Sequence, residues 1–246
     1  MPRLHPVTAA MLAGIVFAIP MPALAAPAQP IILTEKSARL DFRYEIPAVA
    51  TTIAPLNRLL RNDADRRKAA ALRDQRAYAA DLPADAPAHA YGIDLRWKPV
   101  GETRQLLVLM AQGYVYTGGA HGSDTFEPLV WDKRAGRRIA WSNLFNRPES
   151  ALAAIRPDFC RALAAARAKR IGRSNVAGYD CPSLKQYVAV APAGNVGGKF
   201  SRIDIWVPAD VAGSHAEGSY RLALTIPRTV AALVRPTWRA SFPGQS

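Results

Sequence analysis

Three histidines, His89, His121 and His215, stand beyond residue 26 of this 246-residue chain, with one pair of cysteines, Cys160 and Cys181. No two of the histidines share an HxH, HxxxH or HExxH spacing, and the cysteines are not a CxxC pair, so no local metal-ligand set is written into the chain. Two combinations remain for chemistry: His121 with Asp124, and His215 with Glu217. Either would make an acid–base or metal site only if loops from opposite parts of the chain meet. The simpler expectation is that His121 hydrogen-bonds the turn it occupies. A Gly-x-Ser-x-Gly nucleophile elbow is absent. Gly118-Gly119-Ala120-His121-Gly122 lacks the spacing and the Lys-Ser/Thr ending of a phosphate loop. The reading assigns no catalytic residue, no metal ligand and no cofactor.

Binding chemistry is better represented. In Tyr114-Val115-Tyr116-Thr117-Gly118-Gly119-Ala120-His121-Gly122, aromatic residues alternate with smaller ones and then run into glycines. The alternation reads as a strand with one covered face, and the glycines as a turn that reaches positive φ or lets a ligand approach closely. Tyr114, Tyr116 and Trp131, with Gly118, Gly119 and His121, are the candidate binding residues. Sugars stack on flat aromatic faces, and arginine forks suit carboxylates. Aromatics at alternating strand positions are more often core than platform, and core is the favoured reading of Tyr114 and Tyr116.

The elements that must position these residues follow from periodicity. Leu40, Phe42, Tyr44 and Ile46 alternate with polar residues and read as a half-buried strand ending at Pro47. Thr51 or Thr52 is the expected cap of a helix from about Ile53 to Ala80, whose charged stretch Arg61 to Arg76 reads as a solvated face with internal ion pairs. Residues 90–98 and 126–131 read as strands, Gln105 to Met110 and Gly113 to Thr117 as one long strand or two, and Arg137 to Trp141 should pair back across Asp132-Lys133-Arg134-Ala135-Gly136. These connections are too short for parallel crossovers. Ser150 to Ile171 is a helical run stopped by Gly172, with Pro157 expected to start or kink it. Tyr187 to Val190, Ile203 to Val207 and Tyr220 to Ile226 are closing strands, and the C-terminus reads as frayed. The expected fold class is α+β: two antiparallel sheet-plus-helix units, over about 36–100 and 101–240.

Residues 1–26 read as an export signal. A short basic start precedes an apolar run from Val7 to Ile19, then Pro20, Pro22 and the small-x-small site Ala23-Leu24-Ala25. The run is too short to span a bilayer comfortably, so no stable membrane span is expected after cleavage. The expected location is periplasmic or secreted. That compartment is oxidising, so Cys160 and Cys181 are expected to form a disulfide. A helix from Cys160 to Ile171 advances roughly 17 Å at about 1.5 Å per residue, and the return from Gly172 spans up to about 30 Å.

The chain carries 32 Lys and Arg against 19 Asp and Glu, a formal charge of +13. Cleavage removes Arg3 alone and leaves +12. This surplus favours anionic partners bound in a salt-sensitive way. Export argues against nucleic acid and for an anionic cell-envelope polymer or an envelope protein.

The run Tyr116 to Gly122, followed by Phe126, the turn Arg134-Ala135-Gly136, Trp141-Ser142-Asn143-Leu144-Phe145, Ile203 to Pro208 and Ala216 to Tyr220, resembles an extracytoplasmic domain of unknown function. The resemblance is to the ectodomain of RsiV-type lysozyme-sensing anti-sigma factors and the region preceding the catalytic domain of PdaC-type peptidoglycan deacetylases. It covers roughly residues 110 to 240, and residues 36 to 100 resemble the companion unit that precedes it. It departs at Asn143, where the family usually has an acid, and at Pro208-Ala209-Asp210, where an aromatic is common after the proline. Only Met1 to Pro6 precede the apolar run, and no separate deacetylase domain follows, so the expectation is a sensing or binding part alone. The resemblance implies a basic, non-catalytic envelope-binding module that recognises peptidoglycan, another anionic envelope component or a wall-acting enzyme. A hydrolase or deacetylase-like enzyme with a site around His121 is the alternative. Animal lysozymes of the common type are strongly basic, so like charge disfavours lysozyme unless an acidic patch, such as one around Asp81 and Asp85, receives it.

Overall fold

A computed structural model describes residues 27–244. The export signal expected over residues 1–26 lies outside the described residues. Among those residues no helix is long and apolar enough to cross a membrane.

The fold is mixed α+β. Six strands form one sheet in sequence order: β1 (Ile31–Lys36), β2 (Leu40–Ile46), β3 (Tyr91–Glu102), β4 (Leu106–Tyr116), β5 (Ser123–Asp132) and β6 (Arg137–Ile139). Two helices lie between β2 and β3: a single turn, α1 (Ala48–Thr51), and the long α2 (Ala54–Ala80). The second sheet has three antiparallel strands, β7 (Ala189–Ala193), β8 (Arg202–Val207) and β9 (Tyr220–Thr225). Before it comes α3 (Pro148–Ile171), and after it α4 (Arg228–Leu233).

Strand β4 organises the core. Its run Leu106 to Ala111 is apolar at every position, and its two faces serve two cores. Leu107, Leu109 and Ala111 belong to a cluster with α2 and strands β2 and β3, which includes Tyr44, Leu56, Leu60 and Trp97. Leu106, Val108 and Met110 belong to a second cluster with α3 and the three-stranded sheet, which includes Ile155, Phe159, Ile203 and Ile205. The six-stranded sheet therefore buries both faces over this stretch, the arrangement that fills a strand with continuous hydrophobic residues.

Several expectations are corrected. The β2–β3 pair is parallel, unlike every other pair in either sheet. The 27 residues of α2 carry the chain back about 40 Å at about 1.5 Å per residue, which is the crossover a parallel pair needs. A division of the chain after residue 100 falls inside β3, and the six-stranded sheet continues across it. Thr51 and Thr52 do not cap α2. Their hydroxyls donate to Ala48 O and Val49 O in the preceding turn, and α2 starts with proline in its first turn and no side-chain cap. Helix α3 runs as one element through Pro157, because Ile155 and Phe159 on either side are locked in the core. Its stop is as expected: Gly172 adopts φ 73° and its N–H reaches Ala168 O. The C-terminal segment is packed, not frayed, since Val234, Trp238 and Phe242 are buried and the Trp238 indole donates to Asn143 O.

Candidate functional site

The glycine turn folds back onto the strand that leads into it. Gly118 (φ 99°) and Gly119 (φ 87°) take the left-handed conformation that other residues reach only with strain. The Tyr116 hydroxyl donates to Gly119 O at 3.1 Å, and Gly122 N–H donates to the Tyr114 hydroxyl at 2.8 Å. A Cβ at Gly122 would lie 2.6 Å from Tyr114 Cζ and 2.5 Å from Val115 O. Glycine at 122 is thus required for contact with the ring.

This turn carries His121 to His215, which comes from a 3-10 turn (His215–Glu217) in the second half of the chain. The two imidazoles stack with centroids 3.6 Å apart and planes 17° from parallel. His215 Nδ1 bonds Asp210 Oδ2 at 2.9 Å, and His121 Nδ1 lies 3.3 Å from Gly122 O. The loops from opposite parts of the chain do meet, but through a pairing that neither His121–Asp124 nor His215–Glu217 anticipates. Glu217 is engaged elsewhere, with Arg167 and Tyr220. A cation held by both rings would sit about 2.0–2.1 Å from each, in the plane of each ring. Face-to-face rings direct their lone pairs side by side instead of toward one point, so this geometry is a packing contact and not a chelate.

The six candidate binding residues separate. Tyr114 is 46% exposed, contrary to the core reading, and Tyr116 is partly exposed. Gly118, Gly119 and His121 lie beside them in the turn. Trp131 does not join: at 2% exposure it is part of the core under α2 and offers no face to a ligand. The same alternation that identifies a strand cannot say which of its faces is covered. Cys160 and Cys181 form a disulfide with Cα atoms 5.5 Å apart, tying α3 to the loop that follows it.

A second site has no counterpart in the sequence reading. A cleft of about 700 Å³ is lined by Arg104 before β4, Arg134 and Arg137 around the β5–β6 turn, and Trp238 near the C-terminus. None of the three arginines forms an ion pair among the described residues. The polar groups of the floor are already bonded to protein. Asp132 Oδ1 accepts the backbone N–H groups of Arg134 and Ala135, Gln105 Nε2 donates to Thr237 O, and Ser241 Oγ donates to Gln105 Oε1. The arginine-bearing turn at Asp132 to Gly136 was visible as a turn. Its meeting with Arg104 and Trp238 was not, because those residues come from separate parts of the chain.

One ion-pair cluster elsewhere ties a helix to the sheet. Arg67 of α2 bridges Asp63 at 2.7 Å and Glu127 of β5 at 2.7 Å, so part of the charged helix face is anchored to the sheet.

No family model and no curated protein matches the sequence. The fold is shared with a solved structure of TM-score 0.50. A DUF3298 family protein from Pseudomonas aeruginosa aligns with a TM-score of 0.50 at 14% identity, covering 89% of this chain and 98% of that one. A DUF3298 family member from Bacteroides fragilis aligns with a TM-score of 0.48 at 15% identity, over 86% and 94% of the two chains.

Proposed function

We propose that this protein is an exported, non-catalytic module that binds an anionic component of the cell envelope, with the arginine cleft as its contact surface. The observation that carries this reading is the convergence of Arg104, Arg134 and Arg137 on one cleft with no carboxylate paired to any of them among the described residues. A guanidinium donates two parallel hydrogen bonds to carboxylate or phosphate oxygens, and an unpaired one keeps that capacity for a ligand. The long-range field of a chain at +12 after signal cleavage draws the same class of ligand. Peptidoglycan carboxylates and lipopolysaccharide phosphates both qualify. The disulfide suits a periplasmic or secreted location. The resemblance to the RsiV-type and PdaC-type ectodomains supports an envelope role, whereas like charge disfavours a basic lysozyme as partner.

The test compares purified wall material with a basic lysozyme at low and high salt. Wall binding is expected in the micromolar range, on the order of −8 kcal/mol. It should weaken with salt and be lost in the Arg104→Ala/Arg134→Ala/Arg137→Ala variant while the fold stays intact. Tight, salt-insensitive binding to lysozyme with none to wall would overturn it.

One observation favours the enzyme reading: His215 with Asp210 has the form of a base and its orienting carboxylate, and His121 lies against it. Turnover of wall material by the wild-type protein, lost in a folded His121→Ala variant, would decide for a hydrolase or deacetylase.

A further inference from the structure

We propose that Tyr114 is a stacking platform for an uncharged pyranose ring of a glycan, at a site separate from the arginine cleft. The ring is 46% exposed although the same strand is fully buried from Leu106 to Ala111. It is also held in place. Its hydroxyl accepts Gly122 N–H at 2.8 Å, and its edge lies where a side chain at 122 would have to be. An aromatic face fixed before the ligand arrives loses little conformational freedom on binding.

The surroundings select the ligand. Strand register places Asp94 of β3 and Asp124 of β5 directly opposite Tyr114, one on each side. Arg96, Lys98 and Gln112 complete a hollow of about 240 Å³. Arg96 is already bound to Asp94 through two hydrogen bonds, of 2.9 and 2.6 Å. The two carboxylates and two cations cancel, so the hollow exerts no net pull on an anion, unlike the arginine cleft. A fixed aromatic face ringed by donors and acceptors of zero net charge matches a ligand with an apolar C–H face and a rim of hydroxyl or amide groups. A pyranose has that form. The glycine turn then acquires a role: Gly118 and Gly119 bring Gly122 back to clamp the platform. This inference does not need an anionic group on the ligand and stands apart from the cleft reading.

The test titrates the mature protein with chitohexaose and cellohexaose, both uncharged, by calorimetry at low and high salt. Binding to at least one hexamer is expected, unchanged by salt. Tyr114→Ala should weaken it by about tenfold or more, with the fold retained because the ring belongs to neither hydrophobic core. Gly122→Ala, which displaces the ring, should weaken it too, and the triple arginine variant should bind as the wild type does. Failure of the wild type to bind either hexamer, equal binding by a folded Tyr114→Ala variant, or loss of binding in the triple arginine variant would each overturn the proposal. Absence of hexamer binding beside salt-sensitive wall binding that the arginine variant loses would leave the cleft reading standing and overturn this one.

Discussion

Arg167 and Glu217 form an ion pair at 3.2 Å with each side chain only 4% exposed. The pair joins α3 to the 3-10 turn that carries His215, and Arg167 also donates to Tyr179 O at 3.3 Å. Removing one member of a buried pair strands the other charge, which costs about 3–5 kcal/mol. Arg167→Ala should therefore lower unfolding free energy in urea by about that amount. The paired change Arg167→Met/Glu217→Leu should cost distinctly less, because no charge is left buried. Equal losses for the single and double variants would count against this account.

Two buried tyrosines predict an alkaline limit to stability. Burial holds the Tyr44 hydroxyl above its ordinary range, aided by Asp63, to which it donates at 2.9 Å. Burial also raises Tyr220, aided by its hydrogen bond to Glu217. Above the unfolded value of about 10, the unfolded chain releases these protons while the folded protein keeps them. The folded state then binds more protons, and stability falls as pH rises. Below that value the two states are protonated alike and these groups add no slope. Melting temperatures followed from neutral to strongly alkaline pH should fall above about pH 10, and Tyr220→Phe should flatten the fall. A melting temperature that rises through that window contradicts the sign.

The Cys160–Cys181 bridge closes a loop with a sequence separation of 21. On the chain-entropy model such a bridge stabilises by about 3 kcal/mol. Reductant, or Cys160→Ser/Cys181→Ser, should lower the melting temperature correspondingly. Alkylation of the native protein should find neither thiol free, and labelling of both would sink the assignment.

Gly101 lies where the two sheets touch. Val100 O accepts the Gly194 N–H at 2.8 Å, and a Cβ on Gly101 would lie 2.9 Å from Ala193 Cα and 3.0 Å from the Phe200 ring. The backbone cannot yield as a flexible side chain does, so Gly101→Ala should destabilise by about 1–3 kcal/mol. Gly119→Ala is the contrast. Nothing crowds that position, and its cost would come from the positive φ alone. Denaturation of the two variants side by side separates crowding from backbone strain.

Local pattern determined much of this protein. The alternation Leu40, Phe42, Tyr44, Ile46 and the alternation Tyr91 to Trp97 are strands because a half-buried strand repeats every second residue. Gly172 ends a helix, Gly118 and Gly119 make a turn, and the cysteine spacing permits the bridge that forms, since each depends on the conformation of neighbouring residues. Where both faces of a strand are covered, as in Leu106 to Ala111, the alternation vanishes and the sequence no longer says which side is which. That is why Trp131 reads as a possible surface face and Tyr114 as core, when their places are the reverse. The stacking of His121 on His215 and the gathering of Arg104, Arg134, Arg137 and Trp238 were decided by tertiary structure alone. Residues far apart in the chain meet only when two sheets and a long helix bury their apolar faces together, and no local spacing records that event.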